Sequence, residues 1–139
     1  MVNRILVAYG TRAGSTQEVA EAVAEVLRDA GAEVDLQDVK RIHTVSAYQS
    51  VIIGSAVRMG QLIPETIQFA RNFQPELSTR PVAYFVVCVT MADDTIENRT
   101  TASGFLEPLR AIQYPVSVGL FAGKIDHTRV EPFWRFLLS

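Results

Sequence analysis

Residues 4–19 read Arg-Ile-Leu-Val-Ala-Tyr-Gly-Thr-Arg-Ala-Gly-Ser-Thr-Gln-Glu-Val. The apolar run Ile5 to Tyr9 stops at Gly10, a turn rich in Gly and hydroxyl residues runs from Thr11 to Thr16, and a helical pattern begins at once. A strand, such a turn and a helix start together make a phosphate socket. The helix end presents N–H groups without partners inside the helix, and a partial positive charge. Thr and Ser hydroxyls add donors without adding charge. The same residues also read as an ordinary capped βα turn, with Ser15-Thr16-Gln17-Glu18 as a capping box.

What the turn lacks narrows the ligand. A nucleotide P-loop needs a Lys before its Ser/Thr, and Gly14-Ser15-Thr16 has none. The dinucleotide fingerprint G-x-G-x-x-G is absent, because Gly10 and Gly14 are four apart. A receiver domain would place acidic residues at the end of the first strand, where this chain has Ala8-Tyr9-Gly10. A neutral cradle for a single phosphate monoester remains.

Outward from that segment the chain alternates strand and helix. Val19, Ala20, Val23, Ala24 and Leu27 make one apolar stripe on a helix from about Ser15 to Ala30, ended by Gly31. Glu33 to Asp38 alternates and reads as an edge strand. Ser50 to Ile53 is the third strand, followed by a loop at Ala56 to Gln61 and a helix starting at Pro64 that carries Ile67, Phe69, Ala70 and Phe73. Val82 to Val89 is continuously apolar, as a central parallel strand should be. The polar stretch Thr90 to Asn98 leads to a helix with Phe105, Leu109 and Ile112, which Pro108 bends or restarts, and the fifth strand is Val116 to Ala122. Glu131 to Leu138 begins an amphipathic helix that is short or truncated at Ser139. These repeats predict one α/β domain over residues 1–139, a three-layer sandwich around a five-stranded parallel sheet in the order 2-1-3-4-5. In that order ligands bind beyond the C-terminal ends of strands one and three, where the Thr11 to Thr16 turn meets the Ser55 to Gly60 loop.

Composition excludes several classes. Thirteen Lys and Arg against fifteen Asp and Glu, net charge −2, show no basic stripe for nucleic acid. The one cysteine, Cys88, precludes an internal disulfide framework and lies in an apolar run, where it reads as inert core. His43 and His127 have no metal-ligand spacing with Cys or carboxylates. No apolar run approaches the length of a membrane span, and Met1-Val2-Asn3 leads straight into a strand without a signal peptide. A cytoplasmic location is expected, peripheral at the membrane if the chemistry is quinone-linked. A poorly covered sheet face beside the short last helix would favour self-association into a homo-oligomer.

The turn also resembles the phosphate loop of the flavodoxin family, Ser/Thr-x-Thr-Gly-x-Thr, which grips the phosphate of FMN. Thr11, Gly14 and Thr16 match; Ala13 departs by lacking a hydroxyl. The segment Val51 to Gly60 and the stretch Asn98 to Ser103 before Phe105-Leu106 are similar to the menaquinone-dependent protoporphyrinogen oxidase branch of that family, which acts in heme biosynthesis. The resemblance implies an FMN site in three parts. Thr11, Arg12, Ala13, Gly14, Ser15 and Thr16 would hold the phosphate. Ala56, Val57, Arg58, Met59 and Gly60 would line one side of the ring. Thr90, Met91, Ala92, Asp93, Asp94 and Thr95 would line the other. Neither ring loop has a stacking aromatic, which leaves Met59, Met91 and the stem of Arg58 as covers. Arg58 near the ring would favour the anionic reduced flavin. Surface alternatives stand beside these roles: a solvated Arg12, a salt-bridged Arg58, and Asp93-Asp94 as a plain turn.

Three functions follow. The first is an FMN-dependent oxidoreductase passing electrons between a porphyrinogen-like substrate and a quinone. The second is an electron carrier that works with a redox partner protein and has no substrate of its own. The third is an interaction module without flavin. In the protoporphyrinogen oxidase branch a long loop near strand five is associated with the reaction, and the segment Gly123 to Arg129 is short.

Overall fold

A computed structural model describes residues 3–12 and 14–122. The chain runs β1 (Arg4–Gly10), α1 (Gly14–Asp29), β2 (Glu33–Asp38), β3 (Ser50–Arg58), β4 (Gln61–Leu62), α2 (Pro64–Asn72), α3 (Gln74–Leu77), β5 (Val82–Val87), α4 (Ile96–Gly104), α5 (Glu107–Arg110) and β6 (Ser117–Phe121). The principal strands are parallel in the order β2-β1-β3-β5-β6, with β4 paired antiparallel on the end of β3. Counting principal strands only, this is the flavodoxin-like order 2-1-3-4-5.

Burial follows position in the sheet. Every residue of β5 is buried, as are Ile5 to Gly10 of β1, because both faces of a central parallel strand are covered. The edge strands β2 and β6 are only partly buried. Alternation then divides the core in two. Ile5, Val7, Tyr9, Ile52 and Phe85 pack under α1 with its stripe of Val19, Ala20, Val23, Ala24 and Leu27. Leu6, Ala8, Val51, Ile53, Tyr84 and Val86 pack on the opposite face with Phe69, Ala70, Leu77, Ala102, Leu106 and Leu109 from α2, α3, α4 and the α5 region. Helix α1 ends where predicted: Gly31 takes φ +99°, and the Ala32 N–H reaches the Leu27 carbonyl at 3.1 Å.

Two boundaries differ from expectation. Strand β3 runs on to Arg58, because Val57 and Arg58 pair with Leu62 and Gln61, so much of the expected loop is a hairpin. The expected strand to Val89 stops at Val87; residues 89–92 turn as a 3-10 helix and Val89 is exposed. The helix around Phe105 restarts at Pro108 as expected: α4 ends at Gly104, and Pro108 sits in the first turn of α5, where a missing N–H costs nothing. The predicted last helix, on which the expected self-association turned, Gly123 to Arg129 and His127 lie outside the described residues.

At the end of the sheet remote from the phosphate turn, the buried Tyr84 hydroxyl donates toward the Gln113 carbonyl at 2.6 Å and that of Leu109 at 3.2 Å, and burial pushes its pKa up to about 12. Gln113 in turn donates to the Leu77 carbonyl at 2.9 Å. Tyr84→Phe leaves those carbonyls without this donor and is expected to cost about 1–2 kcal/mol in urea unfolding. A loss below a few tenths would mean that water replaces the phenol.

Candidate functional site

The C-terminal ends of β1 and β3 meet in register, Tyr9 opposite Gly54 and Gly10 opposite Ser55. From there the chain turns into α1 on one face, and β3 passes through its hairpin into α2 on the other. Two helix N-termini therefore flank the turn after Gly10. In α1 the N–H groups of Gly14 to Gln17 have no carbonyl four residues back inside the helix.

Each of these helices carries a Thr as its third residue, Thr16 in Gly14-Ser15-Thr16 and Thr66 in Pro64-Glu65-Thr66. Both are 0% exposed, and neither Oγ1 has a hydrogen-bond partner among the described residues. A buried hydroxyl without a partner is costly, about 1–3 kcal/mol, and two beside one turn make a site that fits an added acceptor. Thr66 also explains Gly10: a Cβ there would lie 2.1 Å from Thr66 Oγ1, so only glycine lets α2 close on the end of β1.

The residues expected to hold a phosphate are placed as follows. Thr11 is half-buried beside the turn, Gly14 opens α1 with nothing crowding its Cα, and Thr16 lies behind it. Ser15 is in the first turn of α1; Ala13 lies outside the described residues. Arg12 is engaged elsewhere. Its guanidinium forks onto the Glu65 carboxylate, with Nη2 to Oε1 at 2.8 Å and Nη1 on Oε2. That hydrogen bond, more than the charge itself, holds the Glu65 carboxyl below its usual range. The pairing persists at neutral pH and is lost as pH falls through that lowered value. It ties the turn to the first turn of α2.

The second segment is a hairpin. Met59 and Gly60 take φ +54° and +77°, the geometry of a two-residue type I′ turn. A left-handed Met is strained, and Met59 is 95% exposed, projecting from the site edge. Ser55 anchors the hairpin: its Oγ accepts the Ile63 N–H at 2.9 Å and donates to the Ala56 carbonyl at 2.8 Å. Ala56 and Val57 are half-buried; Arg58 is exposed and makes no hydrogen bond or ion pair among the described residues.

In the third segment Met91 is 2% exposed within the core cluster, so core packing rather than the site takes up its side chain. Thr95 caps α4 by accepting the Asn98 N–H at 3.0 Å, and the Asp93 carbonyl accepts from Asn98 Nδ2 at 2.9 Å. Asp94 forks onto Arg99, Nη2 to Oδ2 at 2.8 Å. Thr90 is half-buried, while Ala92 and the Asp93 side chain are exposed. Cys88 is buried, and burial pushes its thiol pKa up, against the thiolate form. Among the described residues no cluster of His, Cys, Asp or Glu could hold a metal, and no helix is long and apolar enough to cross a membrane.

Sequence reasoning missed Glu65 and Thr66. Pro64 marked the helix start, and the repetition of Thr at the third helical position was the available signal.

A doubly wound sheet with two loops meeting at its switch point defines a class of α/β proteins that bind ligands there. Residues 6–139 match the flavodoxin domain family, and the chain belongs to it. A Leishmania major protein named protoporphyrinogen IX dehydrogenase (quinone) is 27% identical over 141 residues, covering 98% of this chain. The chain spans 61% of the length of that relative. An Escherichia coli K12 protein of the same name is 25% identical, over 98% of this chain and 77% of its own length. Among solved structures, a Streptococcus pneumoniae TIGR4 flavodoxin superposes with a TM-score of 0.67 at 18% identity over 94% of each chain. A Fusobacterium nucleatum flavodoxin bound to flavin mononucleotide superposes with a TM-score of 0.61 at 12% identity, over 84% of this chain and 69% of its own.

Proposed function

We propose that the chain binds FMN at the turn after β1 and acts as a flavin-dependent oxidoreductase, oxidising a porphyrinogen-like substrate with a quinone as acceptor. The observation that carries the flavin half is the buried, unpartnered Thr16 hydroxyl behind the open N-terminus of α1. The names of the two curated relatives support the enzyme half. When bound, the flavin supplies hydride and electron transfer, and the protein supplies position and charge.

In this reading the first N–H groups of α1 and the hydroxyls of Thr11, Ser15 and Thr16 hold the phosphate. Arg12 serves from outside: locked on Glu65, it braces the turn rather than reaching inward. Ala56 to Gly60 line one side of the ring and Thr90 to Thr95 the other, meeting its polar edge through backbone groups. The guanidinium of Arg58, uncommitted among the described residues, offers positive charge that favours an anionic reduced flavin.

Flavin-free protein titrated with FMN should quench the flavin fluorescence at a 1:1 end point. The loaded protein should then oxidise protoporphyrinogen faster with a quinone than with none. A colourless protein that leaves FMN fluorescence unchanged would sink the reading entirely. Flavin reduced only by a protein reductase, with no porphyrinogen turnover, would leave an electron carrier.

A further inference from the structure

The two helices that flank the turn after Gly10 begin differently. At α1 the first N–H groups are open. At α2 they are used: the Ile63 N–H donates to Ser55 Oγ at 2.9 Å, Pro64 has no N–H, and the Thr66 N–H turns back to the Ile63 carbonyl at 3.0 Å. With its donors taken and a carboxylate in its first turn, this helix start does not attract an anion. It makes contacts instead. Ile63 holds the hairpin through Ser55. Thr66 lies against Gly10, where a Cβ would be 2.1 Å from its Oγ1. Glu65 takes the Arg12 fork, with Nη2 to Oε1 at 2.8 Å, across 53 residues of sequence. Residues 63–66 therefore touch the hairpin, the end of β1 and the turn into α1.

We infer that the first turn of α2 is the common support of both ends of the flavin site, and that Glu65 is a positioning residue for the phosphate, acting through Arg12 without touching the ligand. This goes beyond the flavin reading above and rests on it. Residues 11–13 are all that join β1 to α1, and Arg12 is the middle one. Fixing Arg12 restricts the rotations open to its neighbours, so less ordering is left for the moment when a phosphate arrives. A bidentate fork suits that task, because two parallel bonds fix direction as well as distance. The carboxylate also neutralises the guanidinium, so the socket keeps the uncharged character of its hydroxyls. At the other end the Ile63–Ser55 bond holds the base of the hairpin independently of Arg12. Losing the fork therefore loosens the phosphate end and leaves the ring end anchored.

Charge and bracing predict different outcomes, which provides the test. Flavin-free wild type, Arg12→Ala, Glu65→Ala and the double variant are titrated with FMN and with riboflavin, which lacks the phosphate. If charge alone mattered, removing Arg12 would weaken FMN and removing Glu65 would tighten it. As a brace, both single variants weaken FMN in the same direction, each by about fivefold, the upper end for an exposed ion pair. The double variant should lose no more than either single one, because the two residues act as one unit. Riboflavin should bind the variants as it binds wild type. A Glu65→Ala protein that binds FMN more tightly would overturn the inference and make Arg12 a phosphate ligand that Glu65 holds back. Unchanged FMN affinity in the single variants, losses that add in the double variant, or equal losses for FMN and riboflavin would also overturn it, leaving the flavin reading in place. Failure of wild type to bind FMN would overturn both.

Discussion

Thr16→Val is expected to leave flavin-free protein at least as stable as wild type while weakening FMN by about tenfold or more. Two measurements that usually move together should separate. Val matches Thr in shape, and the hydroxyl it removes is 0% exposed with no partner among the described residues. Deleting an unsatisfied polar group without leaving a cavity is neutral or stabilising. With a phosphate in place the same hydroxyl donates to a charged oxygen, a bond of about 1.5–3 kcal/mol, at least tenfold in Kd. Thermal melts without flavin and fluorescence titrations with it check both halves. Thr16→Ser, which keeps the hydroxyl, should retain the affinity. A flavin-free Thr16→Val protein that melts several degrees lower yet binds FMN normally would mean that the hydroxyl serves the fold and the phosphate sits elsewhere.

Gly54→Ala is expected to be strongly destabilising, although it adds a single methyl. A Cβ at Gly54 would lie 1.9 Å from Phe85 Cζ and 2.2 and 2.3 Å from its Cε atoms. Gly54 and Phe85 are register partners on β3 and β5, and the buried ring lies across the glycine. Phe85 cannot swing aside freely, because it meets Phe121 edge to face at 5.9 Å. Overpacking of this kind costs about 1–3 kcal/mol or more, and the upper end is expected here because the ring is enclosed. Urea unfolding of flavin-free protein measures it. FMN affinity should fall as well, since β3 carries Ala56 to Gly60 directly beyond Gly54. The double variant Gly54→Ala with Phe85→Leu should lose less than the sum of the two single losses, because neighbours in contact do not add. A loss under about 0.5 kcal/mol for Gly54→Ala would show that the sheet opens to admit the methyl.

Legibility in the sequence followed the range of the interactions. The apolar runs of β1 and β5, the alternation of β2 and the stripe of α1 all report burial of a residue's own side chain, and all were readable. Helix ends at Gly31 and Pro64 were readable because their chemistry is local. The course of 56–62 was not, because a strand that continues into a hairpin is defined by its partner, and Met at a left-handed turn position disguises the turn. Met91 read as a cover for the ring because neither ring loop has an aromatic. The 3-10 turn at 89–92 aims it into the core instead. The partner of Arg12 was hidden for the same reason: Glu65 lies 53 residues away.

By itself the sequence determined the βα alternation and the strand order, and it singled out the turn after β1 as a candidate phosphate site. Each is written in short-range periodicity and in residues adjacent along the chain. Only the tertiary structure decided which of those residues remain available. It turned Arg12 onto Glu65, enclosed Thr16 and Thr66 without partners among the described residues, laid Phe85 over Gly54, and set Ile63 on Ser55. These are contacts between elements distant in sequence. Only packing the helices on the sheet brings them within hydrogen-bonding or van der Waals reach.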